Sequence, residues 1–256
     1  MQKKYSNLIK FILLTFIISW GSWGTIIFLN KDLLILRVLG CYGPFISLLF
    51  ILFKRENKEL KERIFKSLRT WNVHFGWYIF AILGTAIIGI LAIIINNLLF
   101  DPVTFTKTSL SFVLIAIPYV LLTSVIGEET GWRGYALNFL NKEFRPLQGS
   151  LVTGILWGLW HLPLFYISSD FHKFIPFPLF LIQSIFMTYI YTWIYTKTKS
   201  LLIQHLFHTF SNITLGLLPL LPSTQETSVR PLVITIILLS LLTSILVIKE
   251  KDSFNN

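Results

Sequence analysis

Between Val125 and Leu137 the chain carries two adjacent carboxylates, Glu128 and Glu129, and a guanidinium, Arg133, among apolar neighbours. A charge in such surroundings loses its hydration and is costly unless polar groups meet it there. His161 follows in WGLWHLPLFY, and His205, His208 and Asn212 follow in HLFHTFSN. One carboxylate can hold and deprotonate a water molecule, the work of a general base. Arg133 would fix the geometry of the acidic pair. His161 can share the water or protonate a leaving amine, and His208 with Asn212 can donate hydrogen bonds to a developing oxyanion. Water, base, acid and oxyanion donors together point to amide hydrolysis.

Two other chemistries use similar residues. Glu128, His161 and His208 can serve as three zinc ligands with an open fourth position. No H-E-x-x-H helix is present, and the His ligands would come from different segments, so zinc stays open as the rival. A serine nucleophile has less support: there is no G-x-S-x-G, and no Ser adjoins the carboxylates in the chain.

Helical spacing gives these residues faces. Glu129 and Arg133 are four apart, as are His208 and Asn212, with His205 three before His208, so each set shares a stripe. Ser150, Gly154 and Gly158 form a stripe of small residues against which another helix can pack closely. His161 extends that stripe and is expected to face the bundle interior. Trp157 and Trp160 read as packing residues, and His205 alone reads equally well as interhelical glue.

The elements that must carry these groups are membrane spans. Of 256 residues, 54% are hydrophobic and 13% charged, with mean hydropathy +0.69. Soluble domains carry about 25% charged residues, so lipid is the main solvent. Apolar stretches of about 20 residues cross a bilayer. Such stretches lie at roughly 8–29, 33–53, 76–99, 109–127 continuing to about 140, 148–168, 175–195, 200–219 and 230–248. The expected fold is all-α: a polytopic bundle of about eight transmembrane helices in one domain, 1–256, with the site buried towards the cytoplasmic side. Glu128, His161, His208 and Asn212 all fall at a similar depth, which is the signature of one buried polar site.

A formal net charge of +10 does not indicate nucleic acid, because the basic residues lie between hydrophobic stretches rather than on one solvated face. Lys3, Lys4, Lys10, the cluster from Lys54 to Arg69, Lys142, Arg145, Lys197, Lys199, Lys249 and Lys251 fall on one side. Only Lys31, Arg37, Lys107, Lys173 and Arg230 fall on the other. This bias puts both termini in the cytoplasm. The segment 54–70 alternates charge sign and spaces Leu60, Ile64 and Leu68 four apart. It is expected to be an amphipathic helix, either lying on the cytoplasmic leaflet or solvated as a connector. The lone Cys41 rules out an internal disulfide, and the first apolar stretch reads as a span rather than a cleaved signal.

EETGWR resembles the E-E-x-x-x-R motif of the CAAX-protease and bacteriocin-processing (Abi) family of intramembrane proteases. WGLWH is similar to its second motif, with Trp157 where Phe is usual, and HTFSN is similar to its H-x-x-x-N motif. The resemblance covers about residues 109–216. It implies that Glu128 activates water, Glu129 and Arg133 support it, His161 helps to position the water, and His208 with Asn212 form the oxyanion hole. It further implies a metal-independent mechanism with no cofactor, and membrane-embedded or lipidated peptide substrates reached from the cytosol. The Ile-, Lys- and Asn-rich usage suggests an AT-rich bacterium, in whose cell membrane bacteriocin immunity, peptide maturation and non-catalytic scaffolding are the roles to weigh.

Overall fold

The computed structural model describes residues 2–53, 57–105, 109–223, 228–251 and 254, with side chains from Tyr5 onwards. The charges expected to set orientation at Lys3, Lys4, Lys54, Arg55 and Lys107 lie outside the described side chains. The described residues form helices, as apolar segments must when lipid offers the backbone no hydrogen-bond partners. In order they are α1 (Gln2–Leu29), α2 (Leu34–Cys41), α3 (Gly43–Leu52), α4 (Lys58–Leu68) and α5 (Gly76–Leu99). The long α6 (Leu110–Glu143) follows, then α7 (Pro146–Trp160), α8 (Phe177–Thr198), α9 (Leu201–Leu217) and α10 (Arg230–Lys249).

Five of these helices are long and apolar enough to cross a membrane, and α2 with α3 makes a sixth as a span bent by 50°. The helices α7 and α9 are shorter and fill the remaining two expected positions. This is a multi-pass membrane protein. Its lipid-facing surface is visible on α5 and α6, where Ile87, Leu91, Phe112 and Ile115 are all exposed. Soluble chains rarely leave so continuous an apolar surface uncovered.

Local chemistry explains the irregular elements. Pro44 has no N–H to offer the Gly40 carbonyl, and its ring crowds that oxygen, so the span breaks there. The freed carbonyl accepts a hydrogen bond from Ser19 Oγ on α1 at 2.6 Å. In the same way Pro163 stops α7 early. The expected continuous span 148–168 is instead a helix ending at Trp160 followed by a 3-10 turn, Leu162–Tyr166. His161 therefore caps the helix rather than extending the small-residue stripe. That stripe does seat a partner: Ser150 Oγ lies 2.5 Å from Thr192 Oγ1 on α8. A Cβ on Gly154 would come within 2.7 Å of the Ile185 Cα.

Within the expected amphipathic segment, residues 54–56 lie outside the described residues and Lys58–Leu68 is helical. Its apolar stripe is used by the protein. Ile64 is buried, and Leu60 and Leu68 pack against the main core rather than into lipid. Ser67 Oγ donates to the Lys199 carbonyl at 2.8 Å and accepts from the Leu201 N–H at 3.0 Å. This brackets the left-handed turn at Lys199 and fixes the start of α9.

Candidate active site

The two carboxylates sit on one α-helical turn of α6, Ile126–Gly131, between π-helical turns at Leu121–Val125 and Trp132–Leu137. Wider turns of this kind re-aim side chains inside a helix. The turn is pressed against the α2–α3 break. A Cβ on Gly127 would meet the Cys41 carbonyl at 2.7 Å, and one on Gly131 would meet Pro44 at 2.5 Å. Only glycine allows the acidic turn this close to the broken span.

Adjacent positions on a helix point about 100° apart, and the two glutamates meet different surroundings. Glu128 lines a cavity of about 640 Å³, together with Trp157, His161, His208 and Asn212. Its Oε1 accepts from Ser124 Oγ at 2.5 Å, and its Oε2 accepts from the Trp157 indole N–H at 3.1 Å. His161 Nε2 stands 3.7 Å from Oε2. His161 Nδ1 lies 2.7 Å from the Trp157 carbonyl, which can only accept, so the proton is on Nδ1 and the Nε2 of the neutral ring is an acceptor.

Glu129 is fully buried behind this wall. Its Oε1 is 2.9 Å from Arg133 Nη1 and 2.8 Å from His208 Nδ1. The Arg133 guanidinium lies between two rings, 3.9 Å from the centre of Trp157 and 4.1 Å from that of Tyr191. Cation–π attraction in so dry a place compensates part of its lost hydration. Arg133 thus serves Glu129 and makes no contact with Glu128. With Nδ1 engaged, His208 also lines the cavity, as does half-buried Asn212 one turn later. His205 is interhelical glue: Nδ1 bonds the Leu201 carbonyl at 2.5 Å and Nε2 meets Thr130 Oγ1 at 3.3 Å.

The structure therefore brings Glu128, His161, His208 and Asn212 to one cavity and sets Glu129 and Arg133 behind it. Counted by helical rise from the end where α4 lies, these groups sit at roughly 10–22 Å. The cavity leads from them towards the opposite end, past Arg37, Asp170, Phe171 and His172. The cavity thus extends away from the basic end, towards these residues. There Arg37 bonds Asp170 at 2.5 Å and also bonds Asp32, tying α2 to the connection after α7. Burial alone would raise the Asp170 carboxyl pKa, but hydrogen bonds from His172 and Arg37 hold it down to about 2.

Sequence reasoning missed several contacts. Ser124 does adjoin Glu128, one helical turn earlier, so i−4 spacing was the available signal. Trp157, read as packing, donates to Glu128 and covers Arg133. Asp170 and His172 carried no signal, because only the path of the connection after α7 brings them to the cavity, and Arg37 counted only as a charge on the side opposite the basic cluster. Among the described residues no three His, Cys, Asp or Glu side chains converge as a metal-ligand set, and His208 meets Glu129 rather than Glu128.

Residues 108–214 match the family model described as Type II CAAX prenyl endopeptidase Rce1-like. The segment contains every residue of the cavity's polar floor named above. The chain is also similar to CAAX prenyl protease 2 of Methanococcus maripaludis. The two are 28% identical over 259 residues, which cover 92% of this chain and 94% of that protein. The resemblance seen in the motifs thus extends over nearly the whole chain.

Proposed function

We propose that this chain is an intramembrane endopeptidase that hydrolyses lipidated, CAAX-like protein or peptide substrates with water activated by Glu128. The observation that carries the reading is the pairing of Glu128 with His161. Both present acceptor atoms, 3.7 Å apart, to one cavity. A water molecule there donates one hydrogen to each and is held with its lone pairs free. Glu128 takes a proton as the oxygen attacks the peptide carbonyl. Ser124 and Trp157 fix the carboxylate, so no reorientation is needed at the moment of transfer.

The developing oxyanion falls to His208 and Asn212. With its Nδ1 proton bonded to Glu129, His208 donates from Nε2 only when it carries both protons. Glu129 is then its counter-ion, and Arg133 balances the pair. This division of labour explains two adjacent glutamates: one reacts and the other holds an electrophile. The largely apolar wall of the cavity suits a substrate with a lipid chain, in keeping with the name of the Methanococcus maripaludis relative. The reading needs no metal, because Glu128 and His161 suffice to hold and activate the water, and zinc is the rival that the chelator test addresses. Its setting is the cell membrane of a bacterium, with both termini cytoplasmic, on the strength of the charge bias.

The test is hydrolysis of a farnesylated peptide ending in a CAAX sequence by the purified full chain. Glu128→Gln removes the base but keeps the shape, and is expected to lower kcat by about 10²–10⁴-fold. An unchanged rate overturns the mechanism. Loss of activity with a chelator and recovery with zinc would favour the metal version.

A further inference from the structure

We propose that His172 is a second proton-handling group of this cavity, delivering the proton that the leaving amine requires; the inference rests on the peptidase reading above. His172 is 7% exposed and lines the same cavity as Glu128 and His161. Its ring centre is 5.8 Å from that of His161, and both rings pack against Phe180. Its Nδ1 lies 2.6 Å from Asp170 Oδ1, which also accepts from the His172 backbone N–H at 3.0 Å. The other Asp170 oxygen is held by Arg37 at 2.5 Å. A carboxylate anchored in this way fixes the imidazole's orientation and leaves Nε2 to exchange protons.

Once Glu128 has taken the water's proton, either Glu128 or a second group can protonate the amine, and the geometry of His161 excludes it as that second group. With its proton on Nδ1 and committed to Trp157, His161 faces Glu128 with an acceptor nitrogen. It holds water but has no proton to give. An amide nitrogen is a poor leaving group until it is protonated. As Glu128 takes its proton, the C–O bond forms. The C–N bond then breaks, and its electron pair takes the Nε2 proton of the His172 imidazolium, whose charge faces Asp170. Glu128 returns its proton to solvent, and His172 recovers one at the cavity mouth. The titratable and charged groups around His172 are Asp170 and Lys173 on its own segment, His161 from α7, and Arg37 with Asp32 from the second span.

The experiment compares a farnesylated CAAX peptide with its thioester counterpart at the scissile bond, since a thiolate leaves without being protonated. His172→Gln is expected to slow amide hydrolysis by roughly 10²-fold with KM little changed. It should leave thioester hydrolysis near wild type. Asp170→Asn should shift the amide-to-thioester ratio in the same direction by less. That ratio is measured on one preparation, so it does not depend on the folded fraction. Equal loss on both substrates, or no loss on the amide, overturns the proposal. Glu128→Gln should lower both rates by about 10²–10⁴-fold, and unchanged rates there would overturn the Glu128 mechanism on which this proposal rests instead.

Discussion

Glu129 and Glu128 differ by one position and by almost everything else. Glu128 faces the cavity with both oxygens held by neutral donors, whereas Glu129 is fully buried between two potential cations. Removing one partner of a buried ion pair leaves the other charge unpaired in a dry interior. Glu129→Gln is therefore expected to cost about 3–5 kcal/mol of stability, because the fully buried Arg133 is left without its counter-ion. Thermal unfolding in detergent checks this: the variant should melt well below wild type. The companion change Glu129→Leu with Arg133→Met should recover much of the loss. A wild-type melting temperature for Glu129→Gln would mean that the Trp157 and Tyr191 rings alone hold the guanidinium.

At the scale of elements, the site depends on how closely α6 approaches the break between α2 and α3. The break exists because Pro44 cannot continue the helix, and the approach exists because Gly127 and Gly131 carry no side chain. Gly131→Val would push its side chain into Pro44 and lift the acidic turn away from the broken span. Overpacking of this kind costs about 1–3 kcal/mol, and the displaced Glu128 would lose its register with Trp157 and His161. The expected outcome is a folded but much less active protein, read by parallel melting and peptide-hydrolysis measurements. Full activity would show that the turn is positioned by α7 and α9 alone. The helix α4 plays a similar supporting part from the other end, where Ser67 holds the turn leading into the His-bearing α9.

At the scale of the whole molecule, the charge bias and the cavity lie at opposite ends. The basic helix α4 is at one end, while Arg37, Asp170 and His172 line the mouth at the other. With the basic end in the cytoplasm, a cysteine placed at Ser169, in a chain whose own Cys41 is serine, should react with an impermeant thiol reagent added outside intact cells. Labelling only after permeabilisation would mean that the chain is inverted. The mouth would then face the cytosol, as the family resemblance implies, with the charge bias overridden by the tertiary fold.

Much of this protein was legible in its amino-acid order. Continuous apolar stretches leave a chain in lipid no option but helices, so the span positions followed from composition and length. Buried charges must meet partners, so Glu128, His161, His208 and Asn212 could be assigned to one level. The tertiary structure alone decided which of two neighbouring glutamates faces the cavity, because a rotation of about 100° per residue separates them but has no absolute reference until helices pack. It also decided that Arg133 serves Glu129, that Trp157 donates to Glu128, and that Asp170 and His172 reach the cavity from a loop. Periodicity describes which residues share a face. Only packing determines what that face meets.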